Sequence, residues 1–575
     1  MSGAAGPGDR LRARVPQAHR HPPERIAEYV AAGWWHDDAA WTWDALFRAR
    51  VSERGDAVAV VDPANRESLL GSPPRRPTWV ELDAEVDALA AVLAARGIGP
   101  GAVVGTQLPN TVELVVAYLA VTRLGAVVSP FPMPWREHEL APLGASAGLR
   151  AVVTVGSFGD RRHAAEARAS ADGWPGDVAV LAWGPDLPAG VESLDGLPAA
   201  TVPRLKQHPA DVVTLCWTSG TEATPKGVPR CANSWTVIGR GCAAAPGLTA
   251  ADVILSPFPL VNMAGFGGIF VPWLLTGATL VQHHPFDLPT YLRQIATERV
   301  TYTLAPPALL TGMLRAPGLL DAADLSSLRV VGSGSAPLSG ALIREWRDRF
   351  GIEVTNFFGS NEGIPLISDQ LTVPDPDARA AYFPWFGGPG RTWPNPASAG
   401  VCTRLVDLTT GEDVTEPGRP GELRVAGPTI MSGYWGGAGD PFDDQGFYRS
   451  GDVFAIADDD PTLLRYVDRA RDIVVRGGMN ISPAELEALI VSHPAVAEVA
   501  VVGVPDEVLG ERTAAVVVLA PDTAAPTLDD LVAMLRERKV ASYKLPERLA
   551  VVDALPRNPL GKVLKRELRT WLSSP

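Results

Sequence analysis

Short apolar runs alternate with helix-length stretches along this chain from Val51 to about Ile364, and that rhythm leaves few folds open. Ala57-Val58-Ala59-Val60-Val61 reads as a strand. Trp79 to Arg96 carries apolar residues at helical spacing, and Gly97 with Gly99-Pro100-Gly101 ends the helix. Val103-Val104-Gly105-Thr106-Gln107-Leu108 reads as the next strand, followed by a helix through Glu113-Leu114-Val115-Val116-Ala117-Tyr118. Strand, helix, strand in repetition buries sheets under helices, so the fold class is α/β.

At 575 residues the chain is too long for one core, so two or more domains are expected. Its 46% hydrophobic and 20% charged residues fit an ordinary soluble globular protein. The net charge of −14, from 51 basic against 65 acidic residues, argues against nonspecific binding to nucleic acid or anionic membranes. A nucleotide site would have to be locally basic. Cys216, Cys231, Cys242 and Cys402 show no metal-binding spacing, and Cys216 sits in an apolar strand pattern as a small buried hydrophobe. A reducing, cytoplasmic setting is expected. No apolar run reaches the roughly 20 residues that span a bilayer; Gly268 to Leu280 comes nearest and is broken by Pro272, Gly277 and Thr279. No signal peptide is read at the N-terminus, and residues 1–23, rich in Gly, Ala, Arg, His and Pro, are expected to be disordered.

Thr372 to Gly400, rich in Pro, Gly, Asp and Trp without a period, reads as a surface excursion. Val401 to Tyr434 has glycine turns between short apolar runs and reads as β-rich. Ser482-Pro483-Ala484-Glu485 has the pattern of a capping box with proline at the first helical position, and this helix is expected to stop at His493-Pro494. The expected architecture is a large multi-subdomain N-terminal domain, residues 24–470, with βαβ layers and a β-rich part. A small mobile α+β domain, residues 471–575, follows it.

The apolar run Val212-Val213-Thr214-Leu215-Cys216-Trp217 feeds Thr218-Ser219-Gly220-Thr221-Glu222-Ala223-Thr224-Pro225-Lys226-Gly227. A strand ending in such a loop presents backbone N–H groups, hydroxyls and one cation to a polyphosphate. It is not a Walker A loop, because a proline precedes the lysine and a glycine follows it.

Five further segments follow in order: Gly334-Ser335-Ala336-Pro337; Asn356-Phe357-Phe358-Gly359-Ser360-Asn361-Glu362; Phe447-Tyr448-Arg449-Ser450-Gly451-Asp452; Asp468-Arg469-Ala470-Arg471-Asp472-Ile473 with Gly477-Gly478; and Pro556-Arg557-Asn558-Pro559-Leu560-Gly561-Lys562. Singly, each also reads as an ordinary turn, linker or solvated charge. Together, over roughly Trp79 to Leu568, they resemble the adenylate-forming superfamily of acyl-CoA synthetases, nonribosomal-peptide adenylation domains and beetle luciferases. The resemblance implies that Thr218, Ser219, Gly220, Thr221 and Lys226 hold phosphates. Gly334, Ser335, Ala336 and Pro337 line adenine. Asn356, Phe357, Phe358, Gly359, Ser360 and Asn361 complete the nucleotide site, with Phe358 stacked on the base. Glu362 would hold Mg2+, Asp452 the ribose, Arg469 the ribose or a phosphate, and Arg471 would be the hinge. Gly477 and Gly478 would border the thiol channel, and Lys562 would be the catalytic cation.

Pro257-Phe258-Pro259-Leu260-Val261-Asn262-Met263-Ala264-Gly265 is similar to the segment where the family has histidine, here replaced by Asn262. Asn262, Met263, Gly265, Phe266 and Ser333, with Ser360, become candidates to shape the acyl site. The absence of an aspartate after Phe258 favours an acid without an α-amino group. Adjacent strand residues face opposite ways, so His283-His284 does not read as a chelating pair. The implied activity is ATP- and Mg2+-dependent activation of a carboxylic acid, followed by transfer to coenzyme A. A carrier-protein pantetheine is the alternative acceptor. The departures Glu222, Ala223, Asn262, Phe358 and Asn361 leave open a degenerate member that binds nucleotide without full turnover.

Overall fold

The computed structural model describes residues 20–218, 225–437, 439–476, 479–506, 508–538, 540–557 and 563–573. It divides into two compact units: Met1–Cys402 with Val425–Tyr448, and Thr403–Arg424 with Arg449–Pro575. The α/β class holds.

The first unit is built on two seven-stranded sheets. One runs, edge to edge, through the strands Val191–Ser193, Ala179–Trp183, Leu149–Val155, Val103–Gln107, Val127–Pro130, Val212–Trp217 and Gly227–Cys231. The other runs through Val60–Val61, Thr279–Gln282, Val253–Ser256, Tyr302–Leu304, Val330–Gly334, Glu353–Gly359 and Pro365–Ser368. Each is parallel until its last strand, which turns back antiparallel. The turn into each antiparallel strand lies at a chemically loaded segment, the loop after Trp217 and the turn after Gly359.

The helix Val112–Arg123 is buried at every position. A helix apolar nearly all round belongs in an interior. Its two charged residues are compensated there. Glu113 accepts from Arg66 at 2.7 and 2.8 Å, and Arg123 pairs with Asp44, Asp83 and Asp87. An unpaired ion at such a site costs several kcal/mol. Burial and the neighbouring Glu113 push the Asp62 carboxyl up to about 6, against the pull of Arg66.

The helix from Trp79 begins on a complete capping box, Thr78 with Glu81, and ends at Ala95 as its glycines dictate. The first strand is shorter than its apolar run, because Val60 and Val61 pair with Leu280 and Val281 while Val58 makes an isolated bridge to Thr78. Thr372 to Gly400 departs from the surface excursion expected of it: Phe383, Trp385, Phe386 and Trp393 are buried. Trp393 Nε1 donates to the Trp385 carbonyl at 3.2 Å, and Asn395 Nδ2 to Gly241 at 3.2 Å. Specific hydrogen bonds, not a repeat, organise that stretch. At the N-terminus, Arg20 pairs with Asp211 at 3.1 Å and His21 packs edge-on against Trp35; residues 1–19 lie outside the described residues.

In the second unit the strands Leu463–Arg469, Tyr448–Ile456, Pro420–Ala426 and Cys402–Val406 lie side by side in that order. A five-stranded sheet follows, with the order Met479–Ile481, Val474–Arg476, Gly510–Leu519, Val496–Asp506, and Arg548–Val551 added beside Gly510–Leu519. Strand alternation splits its core. Val501 packs with Leu486, Ile490 and Leu531, while Ala500, Val502 and Val504 pack with Leu555 and Leu568. The helix Pro483–Ile490 is capped by Ser482, which accepts from Glu485 N–H at 3.3 Å. The reciprocal half of the capping box is missing because the Glu485 carboxylate pairs with Lys544 instead. The helix also ends at Ile490, before His493-Pro494.

Candidate active site

The hydroxyl-rich loop is pinned at its base. Thr218 N–H donates to the Lys226 carbonyl at 3.0 Å, and Lys226 N–H donates to Thr218 Oγ1 at 3.1 Å. Trp217 and Gly227 are opposed in the antiparallel pair. Ser219, Gly220, Thr221, Glu222 and Ala223 lie outside the described residues.

The Lys226 ammonium stands 5.3 Å from the centroid of the Tyr434 ring. The Tyr434 hydroxyl donates to Glu362 Oε1 at 3.1 Å. One aromatic side chain thus meets both the loop cation and the buried carboxylate. Tyr434 was not among the residues expected from sequence; it lies among glycines in a stretch read only as β turns. The backbone repeats the connection, since Met431 N–H donates to the Glu362 carbonyl at 2.9 Å. Tyr434→Phe keeps the ring and removes the hydroxyl. Because a hydrogen bond to a charged group is worth about 1.5–3 kcal/mol, turnover is expected to fall roughly tenfold. The Mg2+ concentration for half-maximal pyrophosphate release should rise. A Mg2+ titration unchanged from wild type would exclude this role for the hydroxyl.

The parallel register sets Ser333 opposite Asn356 and Gly334 opposite Phe357. A Cβ on Gly334 would lie 2.4 Å from the Phe357 carbonyl oxygen, so only glycine permits that approach. Ser335 follows at φ +68°, and Ser335, Ala336 and Pro337 are exposed. Phe358 is half-buried and meets Phe383 edge-on at 5.9 Å. Asn356 Nδ2 donates to the carbonyls of Arg379 and Ala380. Asn361, expected in the nucleotide site, uses its amide otherwise in this structure: Nδ2 donates to the Trp217 carbonyl at 3.2 Å and Oδ1 accepts from Met263 N–H at 2.8 Å. It joins the two sheets' edge turns to the segment expected to shape the acyl site.

There Asn262 Oδ1 accepts from Gly265 N–H at 3.2 Å, so the residue standing for histidine caps a short helix. A Cβ on Gly265 would meet Leu260 Cα at 2.5 Å. Phe266, fully buried, begins a π-helical turn to Phe270 and packs against Tyr118 and Trp235; such turns are often found at functional sites. Gly359 approaches Met263, a Cβ there lying 3.4 Å from Met263 Cγ. The hydroxyls of Ser333 and Ser360 are buried with no hydrogen-bond partner among the described residues. His283 bonds Gln294 and the Asp287 N–H, while His284 accepts from Asn110 N–H; the two do not act as a pair.

In the second unit, Asp452 and Arg469 face each other across adjacent strands and form an ion pair at 2.7 Å. Asp468, which stands where the family has glycine, is buried and accepts from Ser482 Oγ at 3.1 Å and Ala484 N–H at 2.8 Å. It is a second cap on the helix Pro483–Ile490. Arg471 is exposed. Its neighbour Asp472 pairs with Arg569 at 2.9 Å, and Lys565 pairs with Glu487 at 2.8 Å. Burial pushes the Glu487 carboxyl up despite that lysine. Gly477, Gly478 and Lys562 lie outside the described residues; Arg557 and Val563, on either side of the Lys562 segment, are bridged antiparallel.

The pattern of AMP-binding enzymes matches residues 47–435, and that of the AMP-binding enzyme C-terminal domain matches residues 485–562. The chain belongs to the AMP-binding enzyme family. It is 34% identical to the indoleacetate–CoA ligase of Aromatoleum aromaticum, covering 90% of this chain and 97% of that protein. It is 30% identical to the medium-chain fatty-acid–CoA ligase of Escherichia coli, over 95% and 92%. ATP-bound MatB from Rhodopseudomonas palustris superimposes with a TM-score of 0.75 at 27% identity, over 92% and 99% of the two chains. Among the described residues, no group of three or more His, Cys, Asp or Glu is placed to hold a metal. One buried carboxylate, Glu362, suits Mg2+, a hard cation that takes its other ligands from phosphate and water.

Proposed function

We propose that this AMP-binding enzyme is an acid–thiol ligase that activates a carboxylic acid with ATP and passes the acyl group to coenzyme A. The Lys226–Tyr434–Glu362 constellation carries the reading, because it joins a loop cation to a carboxylate suited to Mg2+. In the first step a carboxylate oxygen attacks the α-phosphorus of ATP. The bond to the bridging oxygen breaks, and pyrophosphate leaves. Lys226 would face the departing phosphates, where fixed donors and cations stabilise developing charge. Glu362 would hold Mg2+, which when bound neutralises phosphate charge. Gly334 to Pro337 and Phe358 border the base, Asp452 and Arg469 take the ribose, and Lys562 supplies the second cation. After rotation about Arg471, the thiolate sulfur attacks the acyl carbon past Gly477 and Gly478. The carbon–oxygen bond to AMP then breaks.

The acyl site we assign to Asn262, Met263, Gly265, Phe266, Ser333 and Ser360. Phe266 with its neighbour Trp235 gives it an apolar wall, so the acid has an aryl, alicyclic or fatty body. We place the reaction in the cytoplasm. The cysteines are free, three of them buried, and no described helix is long and apolar enough to cross a membrane.

Pyrophosphate release across a panel of acids, with and without coenzyme A, tests the proposal. Release followed by an acyl-CoA product is expected. Release without free acyl-CoA, but with thioester on a pantetheine-bearing carrier, would transfer the acceptor role to that carrier. Nucleotide binding with no release for any acid would overturn the ligase reading.

A further inference from the structure

Arg230 lies on the strand that follows the phosphate loop, opposite Thr214, and is 1% exposed. Its guanidinium rests on the Trp235 ring at 4.4 Å. Nε donates to Ser234 Oγ at 3.2 Å and Nη1 to the Asn361 carbonyl at 2.8 Å. Nη2 is buried without a hydrogen-bond partner among the described residues. Both bonds go to neutral oxygens. The other buried arginines of the first unit are treated differently: Arg66, Arg123 and Arg379 each pair with a carboxylate.

The groups around Arg230 do not supply the missing charge. Burial pushes the Cys216 thiol up to about 12 and raises that of Cys231, so both are neutral. His21, pushed down to about 4 by burial and by Arg230 itself, is neutral too. Glu362 exerts a charge attraction on Arg230 from beyond ion-pair distance, and its near partner is Tyr434. Burial lowers the arginine itself to about 10, which still leaves it charged at neutral pH. A guanidinium in an apolar interior is costly unless a carboxylate or phosphate meets its fork.

The position of this charge indicates what meets it. Trp235, on which Arg230 lies, packs on Phe266 at 5.4 Å. Asn361, whose carbonyl takes Nη1, holds Met263 through its side chain. Ser360, with its orphan buried hydroxyl, is the next residue back along the chain. Arg230 therefore borders the residues assigned to the acyl site, on their apolar side.

We propose that Arg230 is a specificity-determining residue that receives a second carboxylate on the acid substrate, so that the preferred substrate is a dicarboxylic acid with an apolar body. This rests on the ligase reading and on the acyl site assigned above. Only one carboxyl is activated. The other stays ionised against Nη2, fixing which end of the acid faces the α-phosphate.

The test uses acids matched in skeleton: adipate against hexanoate, and the ring-carboxylated phenylacetates against phenylacetate, each scored by pyrophosphate release with the full chain. Wild type is expected to favour the dicarboxylate of at least one pair by about tenfold or more in kcat/KM, as for loss of one charged hydrogen bond. Equal rates, or preference for the monocarboxylates throughout, would overturn the proposal while leaving the ligase reading intact. No release from any acid would remove both. Arg230→Met should erase the preference, mainly through a higher KM for the dicarboxylate. Arg230→Gln, which retains a donor for the Asn361 carbonyl, should lose the preference as well. If Arg230→Met slowed every acid equally and Arg230→Gln restored them all, Arg230 would be a support for the Asn361–Glu362 turn and the assignment would fall.

Discussion

Lys562→Ala is expected to lower acid-dependent pyrophosphate release by about 10²–10³, the usual loss when a single preorganised charge-stabilising donor is removed. The same variant supplied with preformed acyl-adenylate should form acyl-CoA at close to the wild-type rate. The two halves of the reaction put charge in different places. Attack at the α-phosphorus develops charge on phosphate oxygens, where a lysine helps. Thiolysis releases AMP from an acyl carbon and has no need of that cation. The anchors on either side of the segment, Arg557 with Val563, Lys565 with Glu487 and Arg569 with Asp472, are retained in the variant, so loss of fold does not confound the result. Adenylation surviving the substitution would remove Lys562 from the first step.

Gly363→Ala is expected to destabilise the first unit by about 3 kcal/mol or more and to abolish Mg2+-dependent turnover. Gly363 has φ +117°, a region closed to residues with a Cβ. The added carbon would stand 1.9 Å from the Thr429 carbonyl oxygen and 3.0 Å from Ile430 Cα. Both are backbone atoms and cannot swing aside as a side chain can. The turn would have to move away from residues 429–431, carrying Glu362 off Met431 and Tyr434. Urea unfolding and a Mg2+ titration on one preparation read the two effects. Wild-type values in both would show that the close approach is dispensable.

The loop after Trp217, the glutamate at 362 and the glycine at 334 could be picked out as candidates because local chemistry marks them: a strand ends, a hydroxyl or glycine cluster follows, and one charge is placed. Tyr434 was not legible. It meets Glu362 across 72 residues of chain, and nothing nearby distinguishes a tyrosine that reaches a distant carboxylate from a turn tyrosine. Arg230 was hidden for a related reason. An arginine in a strand pattern reads as a solvent-facing residue, and its cover comes from Trp235 and, through Asn361, from the second sheet. Asp468 could be seen as a departure from the family, yet its use as a helix cap depends on where Ser482 and Ala484 fold back. The aromatics of Thr372 to Gly400 lacked a period because most of that stretch is neither helix nor strand, and Trp393 is held by its bond to the Trp385 carbonyl. Periodicity reports elements, and long-range pairing reports sites.

The edge strand of the second sheet has a bearing on how the chain is made. Val60 and Val61 have no strand partner until Leu280 and Val281 have been synthesised. At about 5–20 residues per second that wait is roughly 10–40 s on the ribosome. The sheet built from residues 103 to 231 closes over shorter spans and can assemble meanwhile. The face of Trp79, Phe47 and Trp43, however, waits for Trp273 and Phe270 to cover it. A ribosome stalled between these points would leave an aromatic surface uncovered, so chaperone capture of nascent chains should concentrate on lengths short of Gln282.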